Sequence, residues 1–169
     1  AVLRAFNRWL EDDWGYAYRD RIFGVPLIGL RDIEAGVAEL ERVLRGGARM
    51  VHLQTGPIDG RSPADPHFDP FWSRVHEARI PVVFHIGDPG YNALFGEAWG
   101  EEPNPSVRRQ SAFQWAFMHG DRPIMETLGA LTYHNLFGRF PELEIVSIEN
   151  GSDWVGYLFK QLDKKKGMG

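Results

Sequence analysis

The sequence predicts an α/β fold with a parallel sheet, of the (β/α)8 TIM-barrel type. Three observations carry this. Helical and strand patterns alternate, so that four strand-like stretches are each followed by at least one helix, and repeated βα units imply a parallel sheet. Residues 81–86, Pro-Val-Val-Phe-His-Ile, form a continuous apolar run with one histidine near its end, which suits a strand covered on both faces. No Gly-x-Gly-x-x-Gly or Walker loop follows any of the strands, which weakens nucleotide binding and favours the barrel. Four units fit half of an eight-fold barrel; part of a doubly wound sheet that binds a small ligand at its strand ends is the weaker alternative.

The elements follow in order. Val2, Leu3, Phe6, Trp9 and Leu10 have helical spacing over residues 2–13. Residues 22–30 read as a strand, weakened by Pro26. Asp32 is placed to cap a helix with the apolar face Ile33, Val37, Leu40 and Leu44, which Gly46-Gly47 ends. A short strand over 49–53 leads into a Gly/Pro/Asp-rich loop. Asp69-Pro70 reads as an N-cap and first helical residue, ahead of a buried face of Phe71, Trp72, Val75 and Ala78. After the 81–86 strand, the glycines and prolines of residues 87–105 predict a lid or binding loop. Helical patches near 106–118 and 122–137, a strand over 144–148 and a helix capped by Ser152 complete the chain. That last helix turns Trp154, Val155, Leu158, Phe159 and Leu162 inward.

With 169 residues, 43% apolar and 13% aromatic, the chain is long and apolar enough for one domain with a real core. A net charge of −4 argues against a general nucleic-acid binder, since phosphate contacts need clustered Lys and Arg. The one basic run, Lys164 to Lys166, suits the last turn of a helix. The absence of cysteine excludes a disulfide scaffold, a thiolate metal site and a cysteine nucleophile, and fits a cytoplasmic protein. No stretch reaches the ~20 apolar residues of a membrane span. The chain starts inside a helix and stops just after one, so both ends read as cut.

His85 is the foremost candidate residue, because α/β barrels place their chemistry at the C-terminal ends of their strands and neutral imidazole is the commonest metal ligand. Glu149, at the end of the 144–148 strand, suits a general acid or base; an N-cap-like structural role with Asn150 and Ser152 competes with it. Asp88 is placed either to orient His85 or contact substrate, or to form an Asp-Pro turn. Trp154, one helical turn beyond Glu149, is either a substrate platform or core. His52 lies on a strand and can face the barrel interior. His67, His76, His119 and His134 have surface, turn or helix-end positions that give no functional signal. No Gly-x-Ser-x-Gly elbow supports a serine hydrolase.

Six pieces in order, Arg4-Ala-Phe-Asn-Arg-Trp-Leu10, Asp20-Arg-Ile-Phe-Gly24, Asp69-Pro-Phe-Trp72, Ile80-Pro-Val-Val-Phe-His85, Gly138-Arg-Phe-Pro-Glu-Leu143 and Glu149-Asn-Gly-Ser-Asp-Trp154, resemble the amidohydrolase-related family. That family includes aminocarboxymuconate-semialdehyde decarboxylase and γ-resorcylate decarboxylase. The resemblance implies a (β/α)8 barrel holding a divalent metal, usually zinc, and homo-oligomerisation. It makes His85 a metal ligand, and it makes residues 1–169 a single partial barrel domain, roughly the third to sixth βα units. The first-strand ligand pair would precede Ala1 and the last-strand aspartate would follow Gly169. Decarboxylases of the family carry a histidine where this chain has Glu149, which leaves hydrolysis and decarboxylation both open. The expected function is thus a metal-dependent hydrolase or decarboxylase of a small carboxylated or cyclic substrate. In it His85 would bind metal, Glu149 would be catalytic, and Asp88 and Trp154 would contact substrate. The alternative is a degenerate barrel or fragment acting as a binding module, whose open sheet edges would pair with something.

Overall fold

The computed structural model describes residues 2–168. Its centre is a three-stranded parallel sheet of β1 (Val51–Leu53), β2 (Val82–His85) and β3 (Ile145–Ile148), in the order β1-β2-β3. Register pairs His52 with Val83, Val83 with Val146 and His85 with Ile148. Neighbours in space are thus neighbours in sequence, which is the single winding of a barrel and not the reversing order of a doubly wound sheet.

The stretch expected as a strand over 22–30 shrinks to one parallel bridge, Leu27 to His52. Ile28 N–H donates to the His52 carbonyl (2.9 Å) and His52 N–H to the Pro26 carbonyl (2.9 Å). Pro26 has no N–H to give, so the ladder cannot extend backwards through it. The bridge still sets this segment beside β1, so four parallel units run in sequence.

Alternation along the strands separates two faces. Val51, Leu53, Val82 and Phe84 point outward into one apolar cluster with Leu40 and Val43 of α2 (Ile33–Arg45), Phe71, Trp72 and Val75 of α3 (Asp69–Ala78), and Ile124 and Leu131 of α5 (Asp121–Tyr133). His52, Val83, His85, Val146 and Ile148 occupy the other face, the barrel interior. Val146 and Ile148 are 38% and 41% exposed there, because among the described residues nothing closes the barrel beyond β3.

Helix boundaries follow local chemistry. Asp32 caps α2, its side chain accepting from Ala35 N–H. Gly36 of α2 lies so close to the preceding segment that a Cβ there would come within 2.9 Å of the Gly29 carbonyl oxygen and of Leu30 Cδ2. Gly36→Ala is therefore expected to lower stability by about 1–2 kcal/mol, overpacking outweighing the gain in helix propensity, as a urea midpoint would show.

Asp69 is the first residue of α3 and not its cap. The cap is Phe68, at the end of a short 3-10 turn over Pro66–Phe68 that Asp65 caps. The Asp69 carboxylate accepts from Arg139 instead (3.0 Å). The helix expected over 106–118 is a 3-10 turn at Val107–Arg109 followed by α4 (Ala112–Met118), begun by a capping box of Ser111 and Gln114. The helix expected over 122–137 is two, α5 (Asp121–Tyr133) and α6 (Leu136–Arg139), broken at Asn135 with φ +55°. In α7 (Asp153–Lys164) Trp154 is buried, but Phe159 is 66% exposed, against expectation.

The first helix, α1 (Val2–Asp13), is attached by polar groups. Phe6 and Trp9 stay 40% and 50% exposed, while Asn7 is fully buried. Asn7 Nδ2 donates to the Leu27 carbonyl (2.9 Å) and to Glu39 Oε1 (2.9 Å), and its Oδ1 accepts from Leu27 N–H (2.8 Å). One side chain thus ties α1 to both the 25–28 segment and α2.

Candidate active site

The C-terminal ends of β2 and β3 bring His85 and Glu149 together. They are neighbours because His85 pairs with Ile148 in the ladder and Glu149 is the next residue. His85 Nε2 lies 3.0 Å from Glu149 Oε2, with side chains 45% and 69% exposed. The other ring nitrogen, Nδ1, is 2.8 Å from the Ile86 carbonyl oxygen. A carbonyl only accepts, so Nδ1 carries a proton; a carboxylate also only accepts, so the contact at Nε2 is a hydrogen bond when Nε2 or Glu149 carries a proton as well. Glu149 reaches it from a strained backbone, φ +60°, a region that disfavours side chains other than those of Gly, Asn and Asp.

Asn150 holds the turn. It is 2% exposed, and its Nδ2 lies 3.0 Å from the Phe84 carbonyl, 2.9 Å from the Ile148 carbonyl and 3.2 Å from Ser147 Oγ. Its own carbonyl accepts from the Trp154 indole N–H (2.9 Å), which also reaches the Gly151 carbonyl (3.2 Å). Trp154 is 8% exposed and packs with the core, supporting the turn from behind, and it is not among the residues lining the cavity described below.

A half-open cavity of about 500 Å³ lies over the ends of β1 and β2. Its polar wall includes His52, Gln54, Thr55, His85 and Asp88, and its apolar wall includes Leu27, Ile28 and Ile86. His52 shares the interior face with His85. Burial, and to a lesser degree the charge of His85, hold its imidazole below the ordinary value of 6.5. The folded protein then binds this proton less readily than the unfolded chain. His52 therefore costs nothing above about pH 6.5 and lowers stability as the pH falls below it. Melting temperatures from pH 8 to pH 5 are expected to fall more steeply for the chelator-treated wild type than for His52→Gln.

Asp88 lines the cavity but does not orient His85. Its Oδ1 accepts from Gly90 N–H (2.8 Å) and its Oδ2 from Asn92 Nδ2 (3.1 Å), an Asx turn that starts the 88–92 segment. Gln54 Nε2 donates to its carbonyl, fastening the loop after β1 to the loop after β2. The glycine-rich 87–105 stretch is not structureless: a π-helical turn, Asn92–Gly96, runs into a 3-10 turn at Glu97–Trp99.

His85 fits one vertex of a metal site. Its Nδ1–H is fixed on a backbone carbonyl, the usual orienting contact of a metal-binding imidazole, and a metal held by Nε2 would take the place of the Glu149 contact there. Among the described residues no three His, Cys, Asp or Glu side chains gather closely enough to complete such a site. His119, a turn residue by sequence, is 6% exposed and stacks on Trp115 (ring centroids 4.9 Å apart), and His134 Nδ1 is 2.7 Å from Ser62 Oγ; neither reaches the site. The residue that sequence reasoning undervalues is Asn150. Its signal is position: a polar residue just after an apolar strand, next to a candidate carboxylate.

The family model for amidohydrolases matches residues 1–163. This chain belongs to the amidohydrolase family. A crystal structure of an amidohydrolase from Mycobacterium avium subsp. paratuberculosis K-10 is similar over 98% of the chain and 42% of its own length, at 37% identity and a TM-score of 0.86. Two more distant structures share the fold. They are 5-carboxyvanillate decarboxylase from Sphingomonas paucimobilis (TM-score 0.68, 15% identity, 98% of this chain and 44% of that one) and 2,6-dihydroxybenzoate decarboxylase from Rhizobium (TM-score 0.60, 18% identity, 95% and 46%). The comparison with curated proteins returned no match. The chain spans less than half the length of these three structures, so the amidohydrolase fold here is a partial α/β barrel. No helix among the described residues is long and apolar enough to cross a membrane.

Proposed function

We propose that the protein carrying the whole barrel is a metal-dependent amidohydrolase-type hydrolase or carboxy-lyase acting on a small carboxylated or cyclic substrate. The observation that carries this is the His85–Glu149 pair, 3.0 Å apart at the C-terminal ends of adjacent parallel strands, where barrels of this kind do their chemistry. His85 would hold a divalent metal, with zinc as the first choice, through Nε2. Such an ion polarises a substrate oxygen or lowers the pKa of a bound water. The further ligands would come from strands outside this chain.

Glu149 would hold or deliver a proton at its Oε2, the atom that faces His85. Leu27, Ile28 and Ile86 would give the half-open cavity beside the pair an apolar wall for the substrate, and Asp88 shapes its rim by anchoring the 88–92 segment. Trp154 acts on substrate only through the turn that it supports. Homo-oligomerisation and a cytoplasmic location belong to the same reading, as does a single partial barrel domain over residues 1–169.

The test is a set of small carboxylated aromatic and cyclic substrates offered to the zinc-loaded whole-barrel protein. Activity on at least one is expected, with Glu149→Gln lowering kcat by about 10²–10⁴-fold at unchanged zinc content, the usual worth of a general acid or base. An E149Q variant of wild-type rate would remove Glu149 from the chemistry.

A second reading, a non-catalytic binding module, draws on Glu149 standing at the strand end where decarboxylases of the resembled family carry a histidine. A whole-barrel protein that binds no metal would favour it.

A further inference from the structure

We propose that Asn150 is a positioning residue that sets the separation of His85 and Glu149. This deepens the reading above and rests on it for its meaning in catalysis, but its geometry stands alone. The side-chain amide of Asn150 bonds two carbonyls, those of Phe84 (3.0 Å) and Ile148 (2.9 Å). Phe84 and Ile148 are the residues that immediately precede His85 and Glu149. One planar group thus fixes, from both sides, the backbone from which each member of the pair projects.

The location explains why such a strap is needed. The ladder between β2 and β3 ends here, with Ile86 N–H donating to the Ile148 carbonyl (3.1 Å) as the last backbone bond between them. Beyond it the strands are free to diverge. The chain must also turn sharply, with Glu149 at φ +60° and Gly151 at φ +64°. Holding a glutamate in that region costs on the order of 1–3 kcal/mol, and it persists only where the surroundings over-determine it. Asn150, 2% exposed and bonded to both strands, supplies that determination. Trp154 fastens the same turn from below, through the Asn150 and Gly151 carbonyls, without bonding to β2. The two residues therefore share the turn but not the link between the paired side chains.

That division gives the control. Asn150→Asp keeps the side-chain shape and removes the donor; Asn150→Ser keeps a short donor and is the milder variant should the aspartate prevent folding. Trp154→Phe removes the indole N–H together with part of the ring's volume, and leaves the Asn150 bonds to both strands in place. Crystal structures of the chelator-treated whole-barrel protein are expected to show His85 and Glu149 beyond hydrogen-bonding distance in N150D, moved apart by a smaller amount in N150S, and at their wild-type separation in W154F. Zinc affinity, read by competition with a chromophoric chelator, is expected to fall about 10–100-fold in the Asn150 variants and to change less than about two-fold in W154F, in line with the worth of groups that orient a metal ligand. A separation still near its wild-type value in N150D or N150S overturns the inference, as does an equal displacement in W154F, which would mean that only turn stability matters. Wild-type protein that binds no zinc would refute the metal reading, while the crystallographic comparison would still decide the role of Asn150.

Discussion

Replacing His85 by alanine in the whole-barrel protein is expected to abolish stoichiometric zinc binding and leave the fold intact. The side chain is 45% exposed at the barrel mouth, and its one backbone contact is local, from Nδ1 to the Ile86 carbonyl. Its removal opens no core cavity, so stability should shift by no more than about 0.5 kcal/mol, as for surface positions free of buried partners. The effect on the metal is of a different order. Loss of an outer-shell partner costs roughly 10–100-fold in affinity, and loss of a ligand costs more than that. Metal content by mass spectrometry and a urea melt on the same preparation check both halves. Metal retained at wild-type affinity would assign His85 to hydrogen bonding alone.

Arg42→Ala carries the largest expected loss of stability. The Arg42 side chain is 18% exposed and donates to both oxygens of Glu39, Nε to Oε2 at 3.0 Å and a terminal nitrogen to Oε1 at 2.8 Å. It also bonds Glu11 and, at 3.3 Å, the Tyr16 hydroxyl. Burial pushes the Glu39 carboxyl up, but the hydrogen bonds from Arg42 and Asn7, with the charges of Arg42 and Arg4, outweigh it and hold it below the ordinary value of 4.5. Glu39 thus folds ionised. Deleting Arg42 leaves a nearly buried carboxylate with only Asn7 and the largely exposed Arg4 beside it, which costs about 3–5 kcal/mol. The double variant Glu39→Met, Arg42→Met removes both charges and should recover most of that loss. Urea midpoints for the single and double variants decide it; a single variant within about 1 kcal/mol of wild type, roughly the worth of one hydrogen bond, would show that the pair is solvated. The Glu39 contribution is present above about pH 4.5 and is lost as the pH falls through its lower folded value.

The fold is legible in the sequence because its strands are buried on their outer face and its helices are amphipathic. Val82, Val83 and Phe84 read as strand since nothing polar interrupts them, and Leu40, Phe71, Trp72 and Val75 read as helix faces since their spacing matches the core that they fill. The strand expected at 22–30 fails because a β-rich composition cannot show where pairing stops; Pro26, without an N–H, decides that. Phe159 departs from expectation because periodicity marks an apolar stripe but not its width.

His85 and Glu149 are each legible as strand-end polar residues. Their contact is not, because it depends on a ladder register that pairs His85 with Ile148 and on a left-handed backbone at Glu149. The buried hub of Asn7, Glu39 and Arg42 is invisible for a similar reason: its members are spread over two helices and look like ordinary helix-surface residues. Asp88 and Trp154 stand in the right neighbourhood for substrate contact, yet their polar atoms are taken up by a turn and by backbone carbonyls.

The most direct measurement is anomalous X-ray diffraction at the zinc edge from crystals of the whole-barrel protein grown with zinc. One strong peak is expected at the barrel mouth, about 2.0–2.1 Å from His85 Nε2, with Glu149 beside it. A zinc peak elsewhere with His85 still bonded to Glu149, or no peak at all, would contradict that expectation.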